Sequence, residues 1–462
     1  MGVFGTIMKF IMIVLVVALT IFVVIGAILM IFPAASIFGL HYISSPYNGE
    51  QTQHLRTAEN STMWEGADFY RIETRGYDVV VRVKETGQQG ETYPSGTYEA
   101  VVESSYKGFV WGGNAPKPTY SSSITDEKYI EENGSKIFYI KMAEPDGMLV
   151  RSKTQLTLIV ETSTFQNKKL EIITKSGSVS VGGNIEDNQK LIKTKNLTIN
   201  SESGKVMLNN VTIDENLVIS KNAGDVISEK DIDAAADISI VGGYGIIDLQ
   251  NVGTQQTTRK LKINTSNTHT TVKNVYGDLE FKADGGMLEA TQITQDVDLT
   301  LGACDCQIGK IGNTLNVDGG DGYVKIDEVV GKITQTMKNG ETTIQKNMGE
   351  VDFSSEKGSL YLKKANDNVT ATTSYGNIEI TCNNTLNLNV SNKHGSTKFY
   401  NASGVVTING SGNGTGSVVG EFDQINGASS IVGFAGNIEL KVPTQRFLLN
   451  WRNISGKVDI KY

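Results

Sequence analysis

Apolar residues recur at a fixed interval through the second half of the chain. Counted from Lys260, seven successive units begin at 18-residue intervals. The second position of the unit is aliphatic in all seven units, as Leu261, Leu279, Val297, Leu315, Ile333, Val351 and Val369. The thirteenth position is also apolar, as Val272, Ala290, Ile308, Ile326, Ile344, Leu362 and Ile380. Polar residues alternate with both sets, so each unit predicts two short strands that bury one face.

A glycine separates the two predicted strands in most units. The ninth position holds Gly286, Gly322, Gly340, Gly358 and Gly376, and the other two units have Thr268 and Cys304 there. Because glycine accepts positive φ, this position predicts a corner. A unit of two strands and a corner cannot bury its apolar residues alone and has to stack on its neighbours. We therefore predict an all-β fold, a parallel β-helix (β-solenoid) with coils of about 18 residues.

Looser copies of the unit extend the pattern in both directions. They include "KSGSVSV" from Lys175, "ESGKVML" from Glu202, "FAGNIEL" from Phe434 and "ISGKVDI" from Ile454. We expect the solenoid to cover residues 166–462 in about 15 coils. The alternative is a set of β-sandwich domains, but hairpin-connected sandwiches do not impose one spacing on seven successive units.

The N-terminal part of the chain has a different pattern, with an uncharged apolar run from Phe10 to Phe32. As a helix this run extends about 34 Å, enough to cross a hydrocarbon core of about 30 Å. It predicts a transmembrane anchor over residues 10–32. The alternative is a cleaved signal peptide, although the run is longer than the usual limit of about 15 apolar residues. Lys9 is the only charge before the run, so the positive-inside rule places residues 1–9 in the cytoplasm and the C-terminal part outside.

Two regions lie between the anchor and the solenoid. Residues 33–65 contain the polar stretch "SSPYNGEQTQ" and predict a juxtamembrane linker. Residues 66–165 contain irregularly spaced alternating runs such as "FYRIETR", "YDVVVRV" and "KIFYIKM". This second region is predicted to be β-rich and to cap one end of the solenoid.

The charge balance argues against nucleic acid as a partner. The net charge is −8, and the sequence has no cluster of lysine and arginine with interleaved aromatic residues. A phosphate backbone would be repelled by such a protein.

The sequence offers no catalytic, cofactor-binding or metal-binding constellation. Cys304, Cys306 and Cys382 have no nearby histidine that would complete a zinc site, so we expect small buried residues that line the solenoid. The stretch "DGGDGYVKID" from Asp318 resembles a repeat-toxin calcium turn, but Val324 stands where that turn needs an aspartate. An 18-residue coil also leaves no loop long enough to wall a cleft, so we expect no enzyme. A polysaccharide-active β-helix enzyme is the least favoured alternative.

The repeats resemble those of a known family. "KSGSVSV", "ESGKVML", "SYGNIEI" and "ISGKVDI" fit the S-G-x-V-x-V repeat of the adhesin-domain family of bacterial envelope proteins, over roughly Asp68 to Tyr462. This resemblance implies a membrane-attached envelope protein with an adhesive or structural role.

Two functions therefore stay open. The first is a membrane-anchored cell-surface protein whose extracellular β-solenoid presents a long, flat, polar face to a surface polymer or another cell-surface component. The second is a structural envelope scaffold that assembles through self-association. At the C-terminal end, we expect the bulky residues Phe447, Leu448, Leu449 and Trp451 to fold over the last coil as a plug.

Overall fold

The fold is described from a computed structural model of the 462-residue chain. It describes residues 3–31, 37, 40–45, 51–53, 66–83, 99–111, 124–142, 150–160, 164–182, 191–234, 237–254, 259–443 and 448–462. The structure is 67% strand, and it divides into two compact units. The first unit is Met1–Thr164 with Ile172–Val179, and the second is Phe165–Glu171 with Ser180–Tyr462.

The first unit begins with helix α1, Val3–Ile31. Its part from Ile7 to Ile31 is long and apolar enough to cross a membrane, a property that a signal sequence shares. The helix starts before the predicted segment because nothing in "VFGTIMK" breaks it. The strands that follow are β1 (Leu40–Ser45), β2 (Gln51–Gln53), β3 (Phe69–Thr74), β4 (Tyr77–Val83), β5 (Glu99–Trp111), β6 (Ile124–Glu132), β7 (Ser135–Met142) and β8 (Val150–Val160).

This unit confirms the β-rich region predicted before the coils. Strand β5 pairs antiparallel with β1, β2 and β8, while β8 pairs parallel with β4. Strand β7 pairs parallel with β3 and antiparallel with β6. Strands β1 and β2 belong to the segment 33–65 that the sequence predicts as a linker. Strand β1 has apolar residues that pack in the sheet, since the Tyr42 ring centroid lies 5.0 Å from that of Phe109.

The second unit confirms the predicted β-solenoid, with about 14 turns and coils of about 19 residues. The strands after β8 are β9 (Lys169–Thr174), β10 (Val179–Gly182), β11 (Ile192–Thr194), β12 (Asn196–Ser201), β13 (Val206–Asn209), β14 (Val211–Ile213), β15 (Leu217–Ala223), β16 (Val226–Ser228), β17 (Asp233–Ala234) and β18 (Ile238–Val252). Three long strands, β19 (Arg259–Val275), β20 (Gly277–Ile293) and β21 (Val297–Ile311), then run through the corner without a break.

Later coils contain two separate strands each. They are β22 (Leu315–Asp321), β23 (Tyr323–Val329), β24 (Ile333–Met337), β25 (Glu341–Asn347), β26 (Val351–Ser355), β27 (Ser359–Ala365), β28 (Val369–Thr373), β29 (Ile378–Cys382), β30 (Leu388–Asn392), β31 (Ser396–Ala402), β32 (Val406–Gly414), β33 (Ser417–Phe422), β34 (Ser429–Phe434), β35 (Ile438–Lys441), β36 (Leu449–Asn453) and β37 (Val458–Lys461). We call the sheet that contains the even-numbered strands from β22 to β36 the first sheet. The sheet that contains the odd-numbered strands from β23 to β37 is the second sheet, and β21 contributes to both.

Parallel pairing between successive coils places the repeat positions above one another. Leu279 pairs with Val297, which pairs with Leu315, and this 18-residue step continues to Val369. In several other coils the step is longer, since Leu217 is the partner of Leu197 and Leu261 is the partner of Ile238. Such longer steps explain why the mean coil is longer than the predicted one.

The corner glycines are of two kinds. Gly286, Gly322 and Gly340 have positive φ of 98°, 144° and 103°, as the sequence predicts. The positive-φ explanation is wrong for Gly358 and Gly376, which lie outside that region. A Cβ on Gly376 would lie 1.8 Å from the Gly358 carbonyl oxygen, and one on Gly358 would lie 2.5 Å from Ser355 Oγ. At Gly376 the neighbouring backbone is too close for any side chain, whereas at Gly358 a side chain would require Ser355 Oγ to move.

The predicted plug is also wrong for the residues that the structure describes. Leu449 and Trp451 belong to β36, which pairs parallel with β34 as part of a coil. Leu449 is buried, whereas Trp451 is 39% exposed, so the tryptophan does not cover the coil. The apolar residues of "LLNW" are compatible with a strand as well as with a plug, so the sequence did not distinguish the two. Phe447 lies outside the described residues.

Candidate functional site

The outer side of the first sheet has two columns of short polar side chains. They run through seven successive coils, from β21 to β32. One column is Asp298, Asn316, Thr334, Asp352, Thr370, Asn389 and Thr407. The other is Thr300, Asp318, Thr336, Ser354, Thr372, Ser391 and Asn409. We call these two columns the polar face.

The repeat and the geometry of a strand together produce the polar face. Its two columns flank an inward-pointing residue in each coil, such as the buried Val317 and Phe353. Neighbouring coils are about 4.8 Å apart, and alternate residues of one strand are about 6.6 Å apart. The polar side chains therefore form a regular two-column array on a rigid sheet.

Most hydrogen-bonding groups of the polar face have no partner within the described part of the protein. Asn316 Nδ2 donates to Asp298 Oδ1 at 2.8 Å, and Asn409 Oδ1 accepts from the Ser411 amide at 2.8 Å. All side chains of the face are exposed except those of Ser391 and Thr407, which are half-buried. The hydroxyl groups in the middle of the array are thus available to a ligand or to water.

A shallow groove lies over three coils of the polar face. Its volume is about 560 Å³, and it is lined by residues of β21, β22 and β24, from Asp298 to Thr336. Its lining differs from that of a usual small-molecule pocket, because the side chains that face outward are short and polar.

The polar face is acidic, and its charges differ from those of the second sheet. It has three carboxylates, Asp298, Asp318 and Asp352, and no basic or aromatic side chain. The outer side of the second sheet instead has ion pairs between coils, such as Lys363 with Glu379 at 2.9 Å. Charges there neutralise one another. On the polar face, Asp298 interacts electrostatically with Lys260 of an earlier coil, whereas Asp318 and Asp352 form no ion pair within the described residues.

The predicted core residues all lie on the inner side of the two sheets. Each is between 0 and 2% exposed, as Leu279, Val297, Leu315, Ile333, Val351, Val369, Ile326, Ile344, Leu362 and Ile380. They position the polar face by fixing the register of its strands. None of them is accessible to a ligand.

A set of buried polar residues at the corners was not predicted from the sequence. Thr373 Oγ1 accepts a hydrogen bond from the Gly376 amide at 3.1 Å and donates to the Gly358 carbonyl of the preceding coil at 3.1 Å. Asn392 does the same in the next coil, with the Gly395 amide at 3.0 Å and the Gly376 carbonyl at 3.1 Å. The signal that could have revealed them is a Ser, Thr or Asn three positions before the corner glycine.

Lys221 is another buried polar residue, 4% exposed at an early corner. Its Nζ donates to the Gly204 carbonyl at 2.5 Å and to the Asp225 carbonyl at 2.8 Å. Burial lowers the pKa of Lys221 to about 8, while the negative charge of Asp225 opposes that shift. Both partners are backbone groups of the coil, so this lysine stabilises a corner.

The cysteines are buried, free thiols. Burial raises the pKa of Cys304 to about 11 and that of Cys382 to about 12, and it raises the pKa of Cys306 further still. Thiolates, which react and bind metals, therefore do not form near neutral pH. Within the described ranges, no group of three His, Cys, Asp or Glu residues is placed to hold a metal ion.

Comparison with known proteins adds no relative: no family model matches the chain, and no curated protein does either. The resemblance to the adhesin-domain family stays a prediction from the repeat.

Proposed function

We propose that this chain is a membrane-anchored cell-surface protein whose β-solenoid lies outside the cell and binds a surface ligand. An apolar N-terminal helix followed by a β-solenoid fits a membrane-anchored surface protein. The single observation that supports ligand binding is the polar face, whose polar groups are in register over seven coils and for the most part have no partner within the described residues. Lys9, in the N-terminal part of the helix, supports an orientation with the solenoid outside.

The rigidity of the sheet favours binding through such a face. Side chains held by a stacked backbone lose little further conformational freedom when a ligand docks, so less of the interaction energy is spent on ordering. Thr334 and Thr370, for example, are β-branched residues with few accessible rotamers. The array is therefore pre-organised to make many weak hydrogen bonds at once.

The topology is tested by adding a protease to intact cells that produce the full chain. We expect digestion of the solenoid and retention of the helix in the membrane fraction. Protection of the solenoid in intact cells, with digestion only after lysis, would contradict the proposed orientation.

Binding is tested by reconstituting the full chain into fluorescent vesicles and mixing them with isolated cell-envelope fragments. We expect these vesicles to sediment with the fragments, while protein-free vesicles stay in the supernatant. Equal sedimentation of both would contradict ligand binding. Ordered multimers of the full chain that form without envelope would favour the structural scaffold instead.

A further inference from the structure

We propose that the polar face binds a neutral, hydroxyl-rich linear polysaccharide that lies along the two columns, across successive coils. This inference rests on the proposed function and names the ligand class and the site. It follows from the periodicity, the charge and the unused hydrogen-bonding groups of the face.

Periodicity points to a linear polymer. Each coil presents two polar side chains at the same place, and neighbouring coils are about 4.8 Å apart. The seven coils of the polar face therefore span about 30 Å along the solenoid axis. A small molecule would use one or two coils, whereas an extended polymer meets a similar set of groups at every coil.

Charge restricts the polymer to a neutral one. Asp298, Asp318 and Asp352 are the only charged groups in the array, and only the first of them interacts with a lysine, Lys260, within the described residues. Like charges in proximity repel, so a polyanion such as a nucleic acid or a polyuronate is disfavoured. Sugar hydroxyls, in contrast, donate to these carboxylates and also exchange hydrogen bonds with threonine and asparagine side chains.

The face does not fit a protein partner. Protein interfaces are centred on buried aromatic or aliphatic anchors, and peptides often add to an open strand edge. The outward residues of the array offer no such anchor, since every one is Asp, Asn, Ser or Thr. From β22 to β30, each strand of the first sheet is also paired on both sides, so no edge is open there.

Short side chains favour an extended polymer over a helical one. Thr334, Thr336, Thr370 and Thr372 rise little above the sheet, so a ribbon-like chain can contact every coil. A helical polysaccharide would touch the array once per turn. A β-1,4-linked glucan is an extended ribbon and provides the probe.

The length test uses soluble β-1,4-gluco-oligosaccharides and the full chain in detergent micelles. We expect the dissociation constant to fall with each added sugar until the oligosaccharide spans about 30 Å, and to level off beyond that length. An affinity that does not depend on length, or no binding at any length, would overturn the proposal.

The hydroxyl test removes four threonine hydroxyls while keeping the β-branched shape. The variant combines Thr334→Val, Thr336→Val, Thr370→Val and Thr372→Val. We expect about a 1,000-fold loss of affinity, from the usual net contribution of a hydrogen bond at each of the four hydroxyls. The control is Thr343→Val with Thr381→Val, two half-buried threonines on the outer side of the second sheet. Equal affinities of the four-valine variant and the parent would overturn the proposal.

The charge test uses a polyuronate of the same length as the neutral probe. We expect the parent to discriminate against it, and the combined variant Asp298→Asn, Asp318→Asn and Asp352→Asn to bind it about as well as the neutral oligosaccharide. This variant also serves if the four-valine protein fails to fold. Parent protein that binds polyuronate as tightly as the neutral probe would overturn the proposal.

The vesicle assay separates failure of this inference from failure of the proposed function. If vesicles that carry the four-valine protein sediment with envelope fragments as well as vesicles that carry the parent, the polysaccharide site is refuted. The proposal of surface binding would remain intact. Loss of sedimentation after protease treatment of the envelope fragments would point to a protein partner and would likewise overturn the inference. No sedimentation at all, as described above, contradicts the proposed function itself.

Discussion

Replacing Thr373 with valine should destabilise the solenoid through a single hydroxyl group. Thr373 is 2% exposed, and its Oγ1 bonds both the Gly376 amide and the Gly358 carbonyl at 3.1 Å. Valine keeps the shape and the strand propensity of threonine, so packing changes little. The substitution removes the partner of one backbone donor and of one acceptor at the same corner.

The magnitude follows from these two backbone groups. A buried polar group that loses its partner costs about 1–3 kcal/mol. If each group costs an amount near the lower limit, the free energy of unfolding falls by about 2 kcal/mol. The neighbouring residue supplies a matched control, because Thr372 is exposed and points outward from the same strand. Thr372→Val should change the free energy of unfolding by less than about 0.5 kcal/mol.

The assay is urea unfolding of the full chain, monitored by circular dichroism, for the parent and both variants. Because repeat proteins can unfold in segments, hydrogen exchange of the peptide around Gly376 is measured as well. We expect the Thr373→Val protein to have a lower urea midpoint and faster exchange at this corner. Equal midpoints and equal exchange in Thr373→Val and Thr372→Val would refute the reasoning about buried corner residues.

The core register, the charge state of Lys221 and the calcium hypothesis can each be tested in the full chain. Ile344→Asp places a charge in the core and should lower the free energy of unfolding by about 3–5 kcal/mol, whereas Gln345→Asp on the outer side should not; equal melting of both variants would show that the assigned register is wrong. Between pH 8 and 10.5 the folded state has lost the Lys221 proton that the unfolded chain still binds, so the free energy of unfolding should rise with pH relative to Lys221→Met; parallel pH profiles of the two proteins would contradict the lowered pKa of Lys221. EDTA should leave the melting temperature unchanged, because Val324 is 1% exposed and brings no ligand oxygen to the position where a calcium turn needs an aspartate; a clear drop would restore the calcium hypothesis.

The solenoid register was predictable because one residue class repeats at one spacing. The inward positions need an aliphatic side chain in every coil, so Leu315, Ile333 and Val351 are recognisable as equivalents in the sequence. Stacking then determines the pairing, since a shift of one residue would expose the whole apolar set. The early and late coils were less predictable, because insertions such as the one before Leu261 interrupt the count.

The polar face and the corners were harder to predict. At the outer positions Asp, Asn, Ser and Thr replace one another freely, so no single letter repeats and the two columns emerge only once the strands are assigned. At Gly358, Gly376 and Gly395, where a side chain three positions earlier accepts a hydrogen bond from the glycine amide, the glycine does not adopt positive φ. Thr373 bonds the Gly376 amide, whereas Met337, before Gly340, has no group that could do so, and there the glycine adopts positive φ. Glycine alone could not distinguish these two corners.

The most direct test of the account compares three kinds of vesicle, which carry the parent, the four-valine variant or the two-valine control. The measured quantity is the fraction of vesicles that sediments with cell-envelope fragments. We predict that the parent and the control are retained, and that the four-valine variant falls to the level of protein-free vesicles, provided that its circular dichroism spectrum matches that of the parent. A folded four-valine variant that is retained as well as the parent would contradict the claim that the polar face is the binding surface.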